Sequence, residues 1–125
     1  MKNKIEISSK KIAVLGLAFK AGTDDMRESP SIAVVNALIS EGAKVTAYDP
    51  QAAENAKKIF GKKIEYADSA DAALAGAEAA LILTEWPEFA KLDFSGMKTK
   101  LVFDSRKVIK KNLLTKDVQY EGLCW

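Results

Sequence analysis

An α/β fold is predicted by three observations on this 125-residue chain. Short apolar runs alternate with helix-length segments, the runs are near-continuous in apolar character, and Ser–Pro, Asp–Pro or Gly marks the joins. Near-continuous apolar strands suit a sheet covered on both faces, and strand–helix alternation implies right-handed crossovers between parallel strands. The expected architecture is a three-layer, Rossmann-like domain with a mostly parallel sheet of five or six strands. The length fits one domain, and 48% hydrophobic residues are enough to build its core.

Residues 1–10 are polar and weakly patterned, and read as a linker ahead of a domain over 11–125. The run 11–17 (KIAVLGL) predicts a first strand buried on both faces. Ser29-Pro30 opens a helix, with Ser as cap and Pro at the first helical position, where its missing N–H costs nothing. Ile32, Val35 and Ile39 form its stripe, widened by Val34 and Leu38, and Gly42 stops it. Residues 44–48 predict a second strand. Asp49-Pro50 repeats the cap-plus-Pro device for a helix faced by Ala52, Ala56 and Ile59. Residues 64–66 predict a short strand, and Asp68-Ser69 caps an alanine-rich helix that runs to about Ala75, ahead of Gly76. Residues 78–83 and 101–103 predict further strands, with 118–120 a weak last one.

Composition excludes several classes. A net charge of +2 gives no cationic face for a nucleic-acid backbone. The apolar runs reach six or seven residues, far short of a membrane span, and no apolar stretch follows Met1–Lys4 as a secretory leader requires. The single cysteine, Cys124, allows no internal disulfide, and a cytoplasmic setting is expected. With no histidine, the usual general base near neutral pH is missing. No catalytic residue and no metal-ligand set is assigned within the chain.

In such sheets ligands bind beyond the carboxyl ends of the strands. The segment after the first strand, Gly16 to Pro30 (GLAFKAGTDDMRESP), is the most informative. A dinucleotide fingerprint needs Gly at 16, 18 and 21, but Ala stands at 18 and 21, and the connection is long for a tight pyrophosphate turn. Lys20, Asp24, Asp25, Arg27 and Glu28 make it dense in charge. Two readings fit: a solvated loop with internal ion pairs, or an anion site in which Lys20 and Arg27 meet phosphate.

This segment resembles the C-terminal domain of the UDP-glucose/GDP-mannose dehydrogenase family, whose signature is close to G-L-A-F-K-x-x-T-D-D-x-R-E-S-P. The likeness continues through Tyr48-Asp49-Pro50, Thr84-Glu85-Trp86-Pro87-Glu88-Phe89 with Leu92-Asp93, and Asp104-Ser105-Arg106, so it covers about residues 11–125. T-D-D together with T-E-W lies nearer the UDP-glucose branch. The resemblance implies a part of an enzyme that oxidises the C6 hydroxyl of a nucleotide sugar to a carboxylate in two NAD-dependent steps. An N-terminal NAD domain and a central region with the catalytic cysteine and lysine would be its partners, and homodimerisation would run through the central region. The glycine fingerprint and the cysteine motif are both missing from this chain, so it is expected to be inactive alone and to hold NAD only in the complete enzyme.

By the same resemblance, Phe19, Lys20 and Arg106 are expected to contact the UDP-sugar, and Arg27 to reach NAD. The residue chemistry agrees. Lys20 offers a compact cation, Phe19 an apolar surface, and Arg106 a fixed fork for phosphate or ribose oxygens. Simpler alternatives stand beside these: core packing for Phe19, pairing with Asp24 or Asp25 for Arg27, a surface position for Arg106. Ser105 and Lys107 depart from the commoner Gly or Ala and Asn. Asp49 is expected to cap a helix, with ribose binding as the rival role. Trp86 and Phe89 either stack on a base or pack the domain rim or a partner surface. Cys124 matches no family motif and is taken as structural. Two other classes compete, a free-standing nucleotide-binding or assembly module and a phosphoacceptor receiver domain. Asp24-Asp25 lies too far past the first strand for the latter.

Overall fold

The structure is a computed structural model that describes residues 10–18, 30–84, 86, 89, 96–97, 101–104 and 119–122. The first apolar run forms β1, Lys11–Leu15. It ends two residues sooner than its apolar character predicts, because Gly16 takes φ +97°, a conformation open to Gly and strained for other residues. α1 spans Pro30–Ser40. Its buried centre is Ser31, Val35 and Leu38, with Ile32, Val34 and Ile39 half-buried at the flanks. The face is thus rotated slightly from the predicted stripe.

β2 is Lys44–Tyr48, as predicted. α2 is Ala53–Phe60, so Asp49-Pro50 opens a turn ahead of the helix and not the helix itself. The predicted stripe needs one correction. Ala52, Ala56 and Phe60 are buried, whereas Ile59 is 44% exposed. Positions spaced by four lie above one another on a helix, so Phe60 continues the stripe that Ala52 and Ala56 begin. A short 3₁₀ turn, Gly61–Lys63, leads to β3, Glu65–Tyr66. α3 is Ala70–Leu74, capped by the Ser69 hydroxyl, which accepts from the Ala72 N–H at 3.0 Å. β4 is Ala79–Ile82, β5 Leu101–Asp104 and β6 Gln119–Gly122.

The six strands make one sheet in the order β3-β2-β1-β4-β5-β6, and every neighbouring pair is parallel. The period of two along each strand divides its side chains between two cores. Ile12, Val14, Val45, Leu81 and Phe103 join Val35, Leu38 and Phe60 on one face. Ala13, Leu15, Ile82 and Val102 join Leu74, Phe89 and Met97 on the other. Each fully buried Leu, Ile or Phe contributes roughly 1.5–3 kcal/mol of transfer free energy, and this two-sided burial holds the layers together.

The strand order reverses between β1 and β4. That reversal is the switch point at which doubly wound sheets open a crevice beyond the carboxyl ends of the strands.

Candidate functional site

At the end of β1 the chain must leave the sheet beside β4, and space there is tight. A Cβ on Gly16 would lie 2.6 Å from the Thr84 Cβ and Oγ1 and 2.7 Å from its backbone N. The sheet is extended past the strands by Gly16 N–H donating to the Tyr48 carbonyl at 2.8 Å and Leu83 N–H donating to the Leu15 carbonyl at 2.9 Å. Beyond Gly16, the next two residues have no strand to pair with, and their backbone groups need other partners.

Three buried side chains supply them. One Asp49 oxygen, Oδ2, accepts from the Leu17 N–H at 2.8 Å and the Ala18 N–H at 3.0 Å. The Ser31 hydroxyl, in the first turn of α1, donates to the Leu17 carbonyl at 2.6 Å. The Thr84 hydroxyl, just past β4, donates to the Ala18 carbonyl at 2.8 Å. Asp49 has further bonds. Oδ2 also accepts from the Trp86 indole Nε1–H at 3.0 Å, and Oδ1 accepts from the Gln51 and Ala52 N–H groups at 2.8 Å each. Among the described residues no buried side-chain polar atom lacks a partner.

This resolves the two roles weighed for Asp49. It caps the turn before α2 through Gln51 and Ala52, and the rest of its carboxylate is spent on β1's exit and on Trp86. A carboxylate has about four lone-pair positions, so five donors leave none for a ribose hydroxyl. Trp86 and Phe89 are 7% and 0% exposed and pack in the second core. The Phe89 ring meets Tyr48 edge-on, with centroids 6.2 Å apart. Neither presents a face for a base, so they pack the domain.

Two strands over from β1 lies β5, whose last residue, Asp104, is fully buried. The Tyr120 hydroxyl on β6 donates to Asp104 Oδ2 at 2.8 Å. Burial, then this hydrogen bond, then the Asp104 charge push the Tyr120 phenol well above its ordinary value of 10.0. Burial also raises Tyr66, whose hydroxyl donates to the Gly61 carbonyl at 2.9 Å. A phenol raised in the folded chain leaves stability intact below about pH 10 and erodes it as pH climbs further, because only the unfolded chain ionises freely there. Urea unfolding between pH 8 and 11.5 should therefore give a flat unfolding free energy that falls beyond about pH 10. Tyr120→Phe should make that fall shallower; an unchanged slope would contradict the assignment.

Phe19, Lys20, Arg27 and Arg106 lie outside the described residues, as does Cys124. The structure places their neighbours in the chain. Ala18, directly before Phe19, follows β1, and Asp104, two residues before Arg106, ends β5. β4 lies between these strands, so the two exits are separated by two strand spacings, about 10 Å, on the same edge of the sheet. A concavity of about 350 Å³ sits at the opposite, amino-terminal edge and is lined by Lys11, Lys44, Lys62 and Lys63 among others. The Lys11 ammonium donates to the Ala75 carbonyl at 2.6 Å, at the end of α3. Among the described residues no cluster of His, Cys, Asp or Glu could hold a metal ion, and no helix is long and apolar enough to cross a membrane.

The sheet order and the Asp49 bonds define a doubly wound α/β domain of dinucleotide-fold topology, in which the N–H groups after β1 are taken by an internal carboxylate. Residues 13–111 match the UDP-glucose/GDP-mannose dehydrogenase family, UDP binding domain. The chain belongs to that family. It is 45% identical over 125 residues to the UDP-glucose 6-dehydrogenase of Haloferax volcanii, an alignment covering 98% of this chain and 28% of that protein. It is 50% identical over 115 residues to the UDP-glucose 6-dehydrogenase of Rhizobium meliloti, covering 89% and 26%. The structure of a UDP-glucose dehydrogenase from Pyrobaculum islandicum superposes with a TM-score of 0.84 at 37% identity, over 96% of this chain and 26% of that one. The chain thus spans little more than a quarter of the relatives it matches.

Proposed function

We propose that this chain is the part of a nucleotide-sugar 6-dehydrogenase that holds the UDP portion of the substrate, in an enzyme converting UDP-glucose to UDP-glucuronate by two NAD-dependent hydride transfers. The observation that carries this is the family match over residues 13–111, and the segments 16–30, 84–89 and 104–106 are those that follow β1, β4 and β5 in sequence. Lys20 and Arg106 neutralise the diphosphate, and Phe19 offers an apolar surface beside the ligand. Exits about 10 Å apart on one edge suit a diphosphate held from both sides. Arg27 extends toward NAD, which is held mainly by the N-terminal domain of the complete enzyme. NAD supplies the hydride acceptor when bound, and the residues here bind and orient the substrate. The complete enzyme works as a cytoplasmic homodimer.

The chain alone has half of that site, so its affinity for UDP is low. In a ¹⁵N-labelled sample, UDP should bind with a dissociation constant on the order of 1 mM, and Lys20→Ala or Arg106→Ala should weaken it about tenfold, the effect of losing one charge-assisted hydrogen bond. NAD at the same concentrations should leave the spectrum unchanged. A wild-type chain that ignores UDP, or that responds to NAD in its place, would overturn the reading.

A further inference from the structure

We infer that Asp49 is the positioning residue of the nucleotide site: its carboxylate fixes the direction in which the chain leaves β1 and ties that exit to the segments after β2 and β4. The inference rests on the proposed function, because Phe19 and Lys20 are the next two residues after the held pair.

The ground for it is how completely Leu17 and Ala18 are held. Both of their N–H groups donate to Asp49, from the end of β2. Both of their carbonyls accept hydroxyls, Leu17 from Ser31 on α1 and Ala18 from Thr84 after β4. All four backbone polar groups of two consecutive residues are thus bonded to side chains from three different elements. Leu17 and Ala18 are 0% and 1% exposed, so water does not compete for these groups. With these groups held, the path of the chain through Ala18, the residue before Phe19, is set.

The same carboxylate oxygen takes the Trp86 indole N–H, so the T-E-W segment is referred to the same point. In a dinucleotide-binding sheet of this topology, the N–H groups after β1 face a pyrophosphate, and an acid at the end of β2 faces a ribose hydroxyl. Here those two features satisfy each other. The acid sits where a cofactor acid would, and its work is to hold Leu17 and Ala18, the residues from which the substrate loop departs.

The test is UDP affinity measured by amide shifts in the 125-residue chain, at a temperature well below each variant's unfolding midpoint. Asp49→Asn keeps the size of the side chain but replaces one acceptor with donors. It should weaken UDP binding about fivefold or more and shift the Trp86 indole resonance, the scale of one lost hydrogen bond to a charged group. Ser31→Ala removes one carbonyl clamp and should weaken binding about twofold, which decides the matter if Asp49→Asn does not fold. Ser69→Ala, at the α3 cap, lowers stability without touching the exit of β1 and should leave UDP affinity as it is. Asp49→Asn binding UDP as tightly as wild type, or Ser69→Ala weakening it equally, overturns the positioning role and leaves the proposed function standing. A wild-type chain that binds no UDP removes both.

Discussion

Asp49→Ala should lower the unfolding free energy by about 3–5 kcal/mol, the scale of breaking a buried charged network by removing one partner. Asp49 is 4% exposed, and its carboxylate serves five donors. An orphaned buried donor costs roughly 1–3 kcal/mol. Four of the five belong to buried residues, Leu17, Ala18, Ala52 and Trp86, while Gln51 is exposed and can turn to water. A simple sum would exceed the whole stability of an ordinary domain, which is about 5–15 kcal/mol. The costs are therefore not additive; entry of water and relaxation of the loop recover part. Urea unfolding at pH 7 measures the loss, and a change below about 1 kcal/mol would show that the carboxylate is dispensable.

Gly16→Ala should be nearly as damaging, by about 3 kcal/mol or more, for two separable reasons. Holding a non-Gly residue at φ +97° costs on the order of 1–3 kcal/mol. The new methyl would also sit 2.6 Å from the Thr84 side chain and 2.7 Å from its backbone N, and overpacking typically adds 1–3 kcal/mol. Thr84 cannot simply move, because its hydroxyl holds the Ala18 carbonyl. Gly76→Ala separates the two costs. Gly76 has φ +72° with nothing within 4 Å of an added Cβ, so it should lose only the backbone part, about 1 kcal/mol. Equal losses at the two glycines would rule out close approach to Thr84 as the reason for Gly16.

What could be read from the sequence followed the reach of each signal. β2 was legible residue for residue, because a short apolar run between Gly42 and Asp49-Pro50 has a local meaning. Local spacing points to Ile59 as the end of the α2 stripe and to Pro50 as the start of the helix, which begins at Ala53. Asp-Pro marks a turn and a helix start equally well, and only packing against the sheet selects Phe60 over Ile59. The parallel sheet followed from strand–helix alternation, but its order, β3-β2-β1-β4-β5-β6, did not, because alternation does not say on which side of β1 each new strand is laid.

The site itself was legible in part. Its motifs stand in the chain, but the job of Asp49 depends on donors 31, 32 and 37 residues away in sequence. No spacing rule brings those together; the parallel sheet does, by setting the ends of β1, β2 and β4 side by side. The same holds for Asp104 and Tyr120, which are 16 residues apart and meet because β5 and β6 are neighbours. The approach of Gly16 to Thr84 does have a visible local signal, a glycine at the end of an apolar strand.

The most direct measurement is where UDP perturbs the amide spectrum of the chain. Perturbations confined to the carboxyl edge, at Leu17, Ala18, Thr84 and the residues after Ala18 and Asp104, are the expected result. Perturbations at the lysine-lined amino edge around Lys44, Lys62 and Lys63, or none anywhere, would contradict a UDP site built on the ends of β1, β4 and β5.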